Sequence, residues 1–260
     1  MRTLLFALPV LAACKGPPDA PATLDDLCSY MYSHLPDEDP AAMEAASDQI
    51  QAWMEANWQD TEGGYTVSPL DQPTVEALDA QLRNAADLTG IAVVTTSNHT
   101  VDEAAYAMVM VSQSVVYPDT FVSYDRTYID DPECFMSREC TWLQTEEQMD
   151  SQFVSLITIT SSSHSINQYI WTDSEVGISM VHRNWLTEQP DISPEWLGVT
   201  EQYYLQAFLP REGGHYRLQA MWVIYASDMV PTETGLKLTA TNFETNSETL
   251  EAWLDANPMP

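Results

Sequence analysis

The spacing of apolar residues changes character near residue 120. Before it the period is helical. Met43, Ile50, Trp53, Met54 and Trp58 recur at steps of three, four and seven, which predicts an amphipathic helix from about Ala41 to Trp58. Pro40 suits its first turn, acidic residues crowd that end, and Glu62-Gly63-Gly64 breaks it. A shorter helix is expected over Leu24–His34. Another is expected from about Pro73 to Leu88, with Val75, Leu78, Leu82 and Ala85 on one face and Gly90 as its stop. Thr100 and Glu103 match a capping box that opens a helix from Val101 to about Gln113. A last, short helix covers Ser247–Ala256, with Leu250, Trp253 and Leu254 on its apolar face.

Ile91–Thr96 is a β-rich run, and from Phe121 onward the period is two. Six strands are predicted there: Phe121–Ile129, Met149–Thr160, Ser163–Trp171, Ile178–Leu186, Thr200–Leu209 and His215–Ser227. Pro210-Arg211-Glu212-Gly213-Gly214 joins the last two as a hairpin. Tyr203, Leu205, Ala207 and Leu209 share one face, with Tyr204, Gln206 and Phe208 on the other. Large side chains on both faces imply a sheet covered on one side and lined with bulky groups on the other. The expected fold class is α+β: N-terminal helices, then a curved antiparallel sheet of about six or seven strands, then a short C-terminal helix.

Composition narrows the chemistry. The 260 residues are 45% hydrophobic and 18% charged, a globular balance. Nine Lys+Arg stand against 39 Asp+Glu, a net charge of -30. That excludes nucleic acid as a partner, and equally a polybasic membrane-surface patch. Solubility in salty surroundings accounts for such acidity; the sharper reading is a surface that seeks a basic partner.

The N-terminus sets the compartment. Arg2 and the apolar run Leu4–Leu11 make residues 1–13 a signal peptide, too short to span a bilayer permanently. Leu11-Ala12-Ala13-Cys14 resembles the bacterial lipoprotein signal. The resemblance implies acylation of Cys14, cleavage before it, and the membrane as a partner through the acyl chains. Lys15 in place of an Asp then favours the outer membrane of the cell envelope. A plain secretory signal cut near Ala13 is the alternative, and both readings export the chain. Residues 14–23 form a Pro-rich tether, and 24–260 form one domain, helical over 24–89 and sheet-like over 90–260.

Cys134 and Cys140 enclose five residues, which in an exported chain predicts a small disulfide-closed loop. Their spacing is not that of a zinc site. Cys28 is then a spare, either buried and inert or paired with another chain, and exchange among the three stays open.

The order of the Ile91 strand, the Thr100 helix, six antiparallel strands and a C-terminal helix resembles the helix-grip fold of the START and polyketide-cyclase superfamily. That resemblance covers about residues 90–260 and implies a cavity for lipids, sterols or aromatic polyketides. The final helix departs from the family in being short. Tyr124-Asp125-Arg126-Thr127-Tyr128, the Asp130–Phe135 stretch and Cys140 also resemble exported myxobacterial lipoproteins of uncharacterised function.

Catalytic patterns are thin. Ser163 and His164 are adjacent on a strand and point to opposite faces, and no G-x-S-x-G elbow, H-E-x-x-H or glycine-rich phosphate loop occurs. No metal and no cofactor is expected. Arg126 and Arg183 lie inside predicted strands of a cation-poor chain. Each fits a structural pair with a buried carboxylate, or a receiver for an acidic head group. Trp171, Trp185, Tyr203 and Trp222 are the aromatics expected to line a ligand cavity, with ordinary core packing as the alternative. The expected function is that of a non-enzymatic envelope protein binding an apolar or amphipathic small molecule between sheet and helices. The alternative is an interaction or structural lipoprotein with a filled core and an exposed apolar patch on its N-terminal helices. A cyclase- or hydrolase-type enzyme comes third.

Overall fold

A computed structural model describes residues 19–37, 40–154, 158–195, 198–226 and 231–259. The signal segment 1–13, the lipidation position Cys14 and the first part of the tether lie outside the described residues.

In chain order the elements are α1 (Leu24–His34), α2 (Ala41–Asn57), β1 (Tyr65–Val67), α3 (Gln72–Glu76), β2 (Thr89–Ser97), α4 (Val101–Val109), α5 (Gln113–Val116) and β3 (Phe121–Tyr128). Then come α6 (Pro132–Met136), β4 (Trp142–Val154), β5 (Thr158–Ser174), β6 (Gly177–Leu186), β7 (Asp191–Ser193), β8 (Val199–Arg211), β9 (Gly214–Tyr225) and α7 (Thr232–Ala256). The nine strands form one antiparallel sheet in the order β1-β2-β9-β8-β6-β5-β4-β3, with β7 paired to β5. The architecture is α+β and helix-grip-like. Among the described residues no helix is long and apolar enough to cross a membrane.

Strand alternation gives the sheet two different faces. The outer face is apolar and sealed by α1 and α2. Leu27, Met31, Tyr32, Ile50 and Met54 join Ala92, Val94, Leu205 and Leu218 in one buried cluster. A cross-strand row runs through this face: Ile166, Trp185, Tyr203, Trp222, Gly90 and Val67 are successive partners. The Tyr32 ring meets Tyr203 and Trp222 edge-on, at 6.2 and 5.5 Å. Gly90 leaves the gap that Trp222 fills, since a Cβ there would stand 2.6 Å from both Trp222 and Val67. The opposite, grip face meets α7 over β2 and β9, α4 over β6 and β8, and α6 over β4.

Several expectations need correction. The C-terminal helix is long, 25 residues, so the departure from the helix-grip pattern disappears. Its stripe toward the sheet runs Leu236, Ala240, Phe243, Ser247, Leu250 and Leu254, so Ser247 interrupts the apolar period and the small Ala240 weakens it. The helix expected over Pro73–Leu88 stops at Glu76. Beyond it, backbone groups bond elsewhere: Gln81 N to the Thr187 carbonyl (2.7 Å), Asn84 N to Glu201 (2.9 Å) and Ala85 N to the Gln72 side chain (3.0 Å). The Val101 helix ends at Val109 because Arg126, Tyr128 and Gln113 take its last carbonyls. The strand expected over Met149–Thr160 straddles the end of β4 and the start of β5, and Ser163–Trp171 lies inside the 17-residue β5. β1 and β7, three residues each, are too short to show a period.

The Cys134–Cys140 disulfide is present. Its loop plugs one end of the grip face: Phe135 stacks on Trp171 at 5.4 Å and accepts a hydrogen bond from the indole N–H through its carbonyl, at 2.8 Å. Cys28 is a free thiol in α1, and burial pushes its pKa well up, so it stays protonated.

Gly90→Val should destabilise the domain by about 1–3 kcal/mol in urea unfolding, because the outer row has no room for a side chain there. An unchanged midpoint would show that the Trp222 contact is not tight. Phe135→Ala should cost about 3–5 kcal/mol and shift Trp171 fluorescence, since the ring is fully buried.

Candidate binding site on the grip face

The grip face is where the sequence hides its polarity. Strand register places Thr95, Arg217, Gln219, Met221, Tyr204, Gln206, Phe208, Met180, His182 and Asn184 on it, continued by Asn167, Tyr169, Trp171, Thr145, Glu147 and Arg126. Arg217, Gln219, Gln206, His182, Asn167 and Thr145 are each below 5% exposed. Buried polar groups of this density must satisfy one another.

They do so in a directed chain. Arg217 donates to the amide oxygen of Gln206 from Nη2 (2.8 Å) and Nε (2.6 Å). This orientation turns the Gln206 NH2 toward His182, whose Nδ1 otherwise lacks a partner. His182 Nε2 then donates to Asn167 Oδ1 at 2.9 Å, and Asn167 Nδ2 donates to Ser165 Oγ at 3.2 Å. The relay crosses β9, β8, β6 and β5, and its direction assigns the Nε2–H tautomer of His182. The imidazole stacks on Tyr169, with ring centres 4.3 Å apart. Burial, with the Arg126 charge adding to it, pushes His182 down to about 3. His215, on the same face, is pushed down to about 4 by burial.

At the far side Arg126 pairs with Glu147 through Nε (2.9 Å) and donates to the carbonyls of Met108 (2.9 Å) and Val109 at the end of α4. Beside the buried relay lies an accessible strip. Met221, Tyr204 and Asn184 are cross-strand neighbours, half-buried, and the first two pack against α7. Tyr204 packs against Phe243 of α7 at 5.7 Å and donates to Gln219 Oε1 at 3.0 Å. Met221 supplies apolar atoms and Tyr204 and Asn184 polar groups to this strip, with Phe243 buried beneath α7 at its edge.

The residues singled out from sequence divide between the two faces. Arg126 and Trp171 lie on the grip face. Arg183, Trp185, Tyr203 and Trp222 lie on the outer face under α1, so the four aromatics do not line one cavity. Alternation separates them: Trp171 pairs with Met180, and Trp185 lies an odd number of residues further along β6. Arg126 has the buried carboxylate expected of it. Arg183 has none within 4 Å among the described residues; it bonds Gln168 (2.9 Å) and the Tyr32 carbonyl (2.7 Å) and lies over the Tyr32 and Trp185 rings. Arg217, His182, Gln206 and Gln219 were legible only as polar residues at alternate strand positions. A separate cleft of about 460 Å³ has Asp191 and Glu195 on its rim, both exposed. Among the described residues no group of three His, Cys, Asp or Glu is arranged to hold a metal.

His182 and His215 are neutral when folded and take up protons near pH 6.5 when unfolded. Each therefore contributes stability that is present above pH 6.5 and is lost as pH falls toward 4 and 3. The stability advantage of the parent over His182→Gln should shrink by about 1.4 kcal/mol per pH unit between pH 6 and 4 in chemical denaturation. An advantage independent of pH would contradict the neutral buried imidazole.

No known family profile matches the chain, and no curated protein is similar to it in sequence. Solved structures are similar in fold at very low identity. A STAR-related lipid transfer protein from Xanthomonas axonopodis is 9% identical, with a TM-score of 0.44, covering 74% of this chain and 99% of its own. A protein of Thermus thermophilus is 13% identical, with a TM-score of 0.43, covering 65% of this chain and 99% of its own.

Proposed function

We propose that the protein is an exported, lipid-anchored binding protein that takes an amphipathic small molecule along the Met221–Tyr204–Asn184 strip, between the sheet and α7. The observation that carries this reading is the contrast between the two faces. The outer face is an apolar core with Arg183 as its one buried strand arginine among the described residues. The grip face keeps Arg217, His182, Gln206, Gln219 and Asn167 almost fully out of water. Each polar group held imperfectly there costs roughly 1–3 kcal/mol, and a charge costs more. Packing alone asks for no such wall, whereas orienting a ligand with a polar end and an apolar body does.

Catalysis is not supported by the same geometry. His182 is too weak a base for proton transfer near neutrality, and its ring nitrogens are turned to Gln206 and Asn167. Glu147 is committed to Arg126. The interaction-module reading asks for exposed apolar residues on the N-terminal helices, but α1 and α2 expose no large apolar side chain among the described residues. Acylation of Cys14, read from the sequence alone, would hold the domain close to its source of amphiphiles.

The Cys14→Ser full-length chain, incubated with envelope lipid extract, should retain a discrete adduct in native mass spectrometry. Tyr204→Ala and Met221→Ala should each weaken retention by about tenfold or more, and Trp185→Phe, on the outer face, should not. A bare protein across several extracts would overturn the reading.

A further inference from the structure

Arg217 is 4% exposed, and among the described residues no carboxylate lies within 4 Å of it. Its contacts are lopsided. The side toward Gln206 is short, at 2.6 and 2.8 Å. The other side is long: Nη1 reaches the Asn246 carbonyl at 3.2 Å and Ser247 Oγ at 3.4 Å, and Nη2 reaches Tyr117 Oη at 3.3 Å. A guanidinium bound to a true anion holds it at about 2.7–2.9 Å. The Nη1/Nη2 edge is thus a buried double donor met on this side by neutral oxygens at 3.2–3.4 Å, longer than a charge-assisted bond. Hydroxyl groups surround that edge. Thr95 Oγ1 bonds Ser247 Oγ at 3.0 Å, and Ser247 and Tyr117 face the guanidinium directly.

Arg126 and Arg183, the other two strand arginines highlighted above, are finished differently. One has Glu147; the other has short bonds from both Nε (2.9 Å) and Nη1 (2.7 Å) and two aromatic rings, where Arg217 lies over the Phe208 ring alone among the described residues, at 5.7 Å. A chain with 39 acidic residues places none of them beside Arg217 among the described residues.

We propose that the Arg217 edge, with the Tyr117 and Ser247 hydroxyls, is an oxyanion site that receives the carboxylate or phosphate end of the ligand. The inference rests on the binding reading above and names its ligand class: an anionic amphiphile. Four residues along β9 separate Arg217 from Met221, about 13 Å. That distance lays a medium-length acyl chain from the anion site toward the strip. The same anion chemistry could come from a free oxyanion, which the test separates.

Calorimetry on the Cys14→Ser chain would use dodecyl phosphate, dodecanoate, dodecanol and inorganic phosphate. Dodecyl phosphate and dodecanoate should bind at least about tenfold more tightly than dodecanol, and inorganic phosphate weakly. Arg217→Gln should weaken the anionic amphiphiles at least about 30-fold and leave dodecanol unchanged, with Arg217→Lys partly restoring them. Should Arg217→Gln fail to fold, Ser247→Ala and Tyr117→Phe should each still narrow the anion-to-alcohol ratio about threefold. Equal binding of dodecanol and dodecyl phosphate would overturn the anion site and leave the strip standing. Arg217-dependent binding of inorganic phosphate without any amphiphile would support the anion site and overturn the amphiphile reading. No binding of any probe would overturn both.

Discussion

The fold depends on where it puts its guanidinium groups. With nine basic residues against 39 acidic ones, this chain has few cations to place, and strands β3, β6 and β9 each bury one. Each donates to the main chain of a helix packed on the sheet: Arg126 to the end of α4, Arg183 to the last turn of α1, Arg217 to Asn246 in α7. Carbonyls at a helix C-terminus carry the negative end of its dipole and lack intrahelical partners. Arg126 and Arg183 answer both needs at once, whereas Asn246 lies in the middle of α7. α4 on one face and α1 on the other are thereby fixed to the sheet by charge-assisted bonds as well as by apolar contact, and the carboxylates are left mostly to the surface.

The two faces then diverge because strand alternation lets them. On the outer face the row from Ile166 to Val67 interlocks with α1 and α2, and Gly90 is bare so that Trp222 can fill the space. On the grip face the same strands present Arg217, Gln206, His182 and Asn167 as one hydrogen-bonded relay. α7 is held there by Thr95 and Gln219 bonding to Ser247 and Phe243, between apolar contacts of Ala240 and Phe243 toward one end and Leu250 and Leu254 toward the other. A helix docked partly through polar contacts over a buried polar row is a different object from a helix sealing an apolar core alone. That difference is what makes the grip face the candidate site.

Much of the fold was legible in the sequence, and the misses have physical causes. Leu24–His34, the capping box at Thr100 and the Gly213 hairpin follow local rules that tertiary structure did not override. The long α7 was hidden because Ser247 interrupts its inward stripe and Ala240 contributes little to it. The Pro73–Leu88 helix was over-read because groups distant in the chain, the Thr187 carbonyl and the Glu201 carboxylate, claim its backbone N–H groups. The site was less legible. Large aromatics drew attention to Trp185, Tyr203 and Trp222, which serve the outer core. The polar residues at the neighbouring positions, Tyr204, Gln206 and Gln219, occupy the grip face. Period-two patterning says that two faces exist; which one meets α7 emerges only from the pairing of β2 with β9.

The central claim is that ligand contact occurs on the grip face. The most direct measurement is photo-crosslinking of the Cys14→Ser chain with a diazirine-bearing fatty acid, followed by peptide mapping. The account predicts labels on β8, β9 and α7, centred on Tyr204, Met221 and Phe243. Labels confined to α1, α2 or the outer faces of β6 and β8 would contradict it.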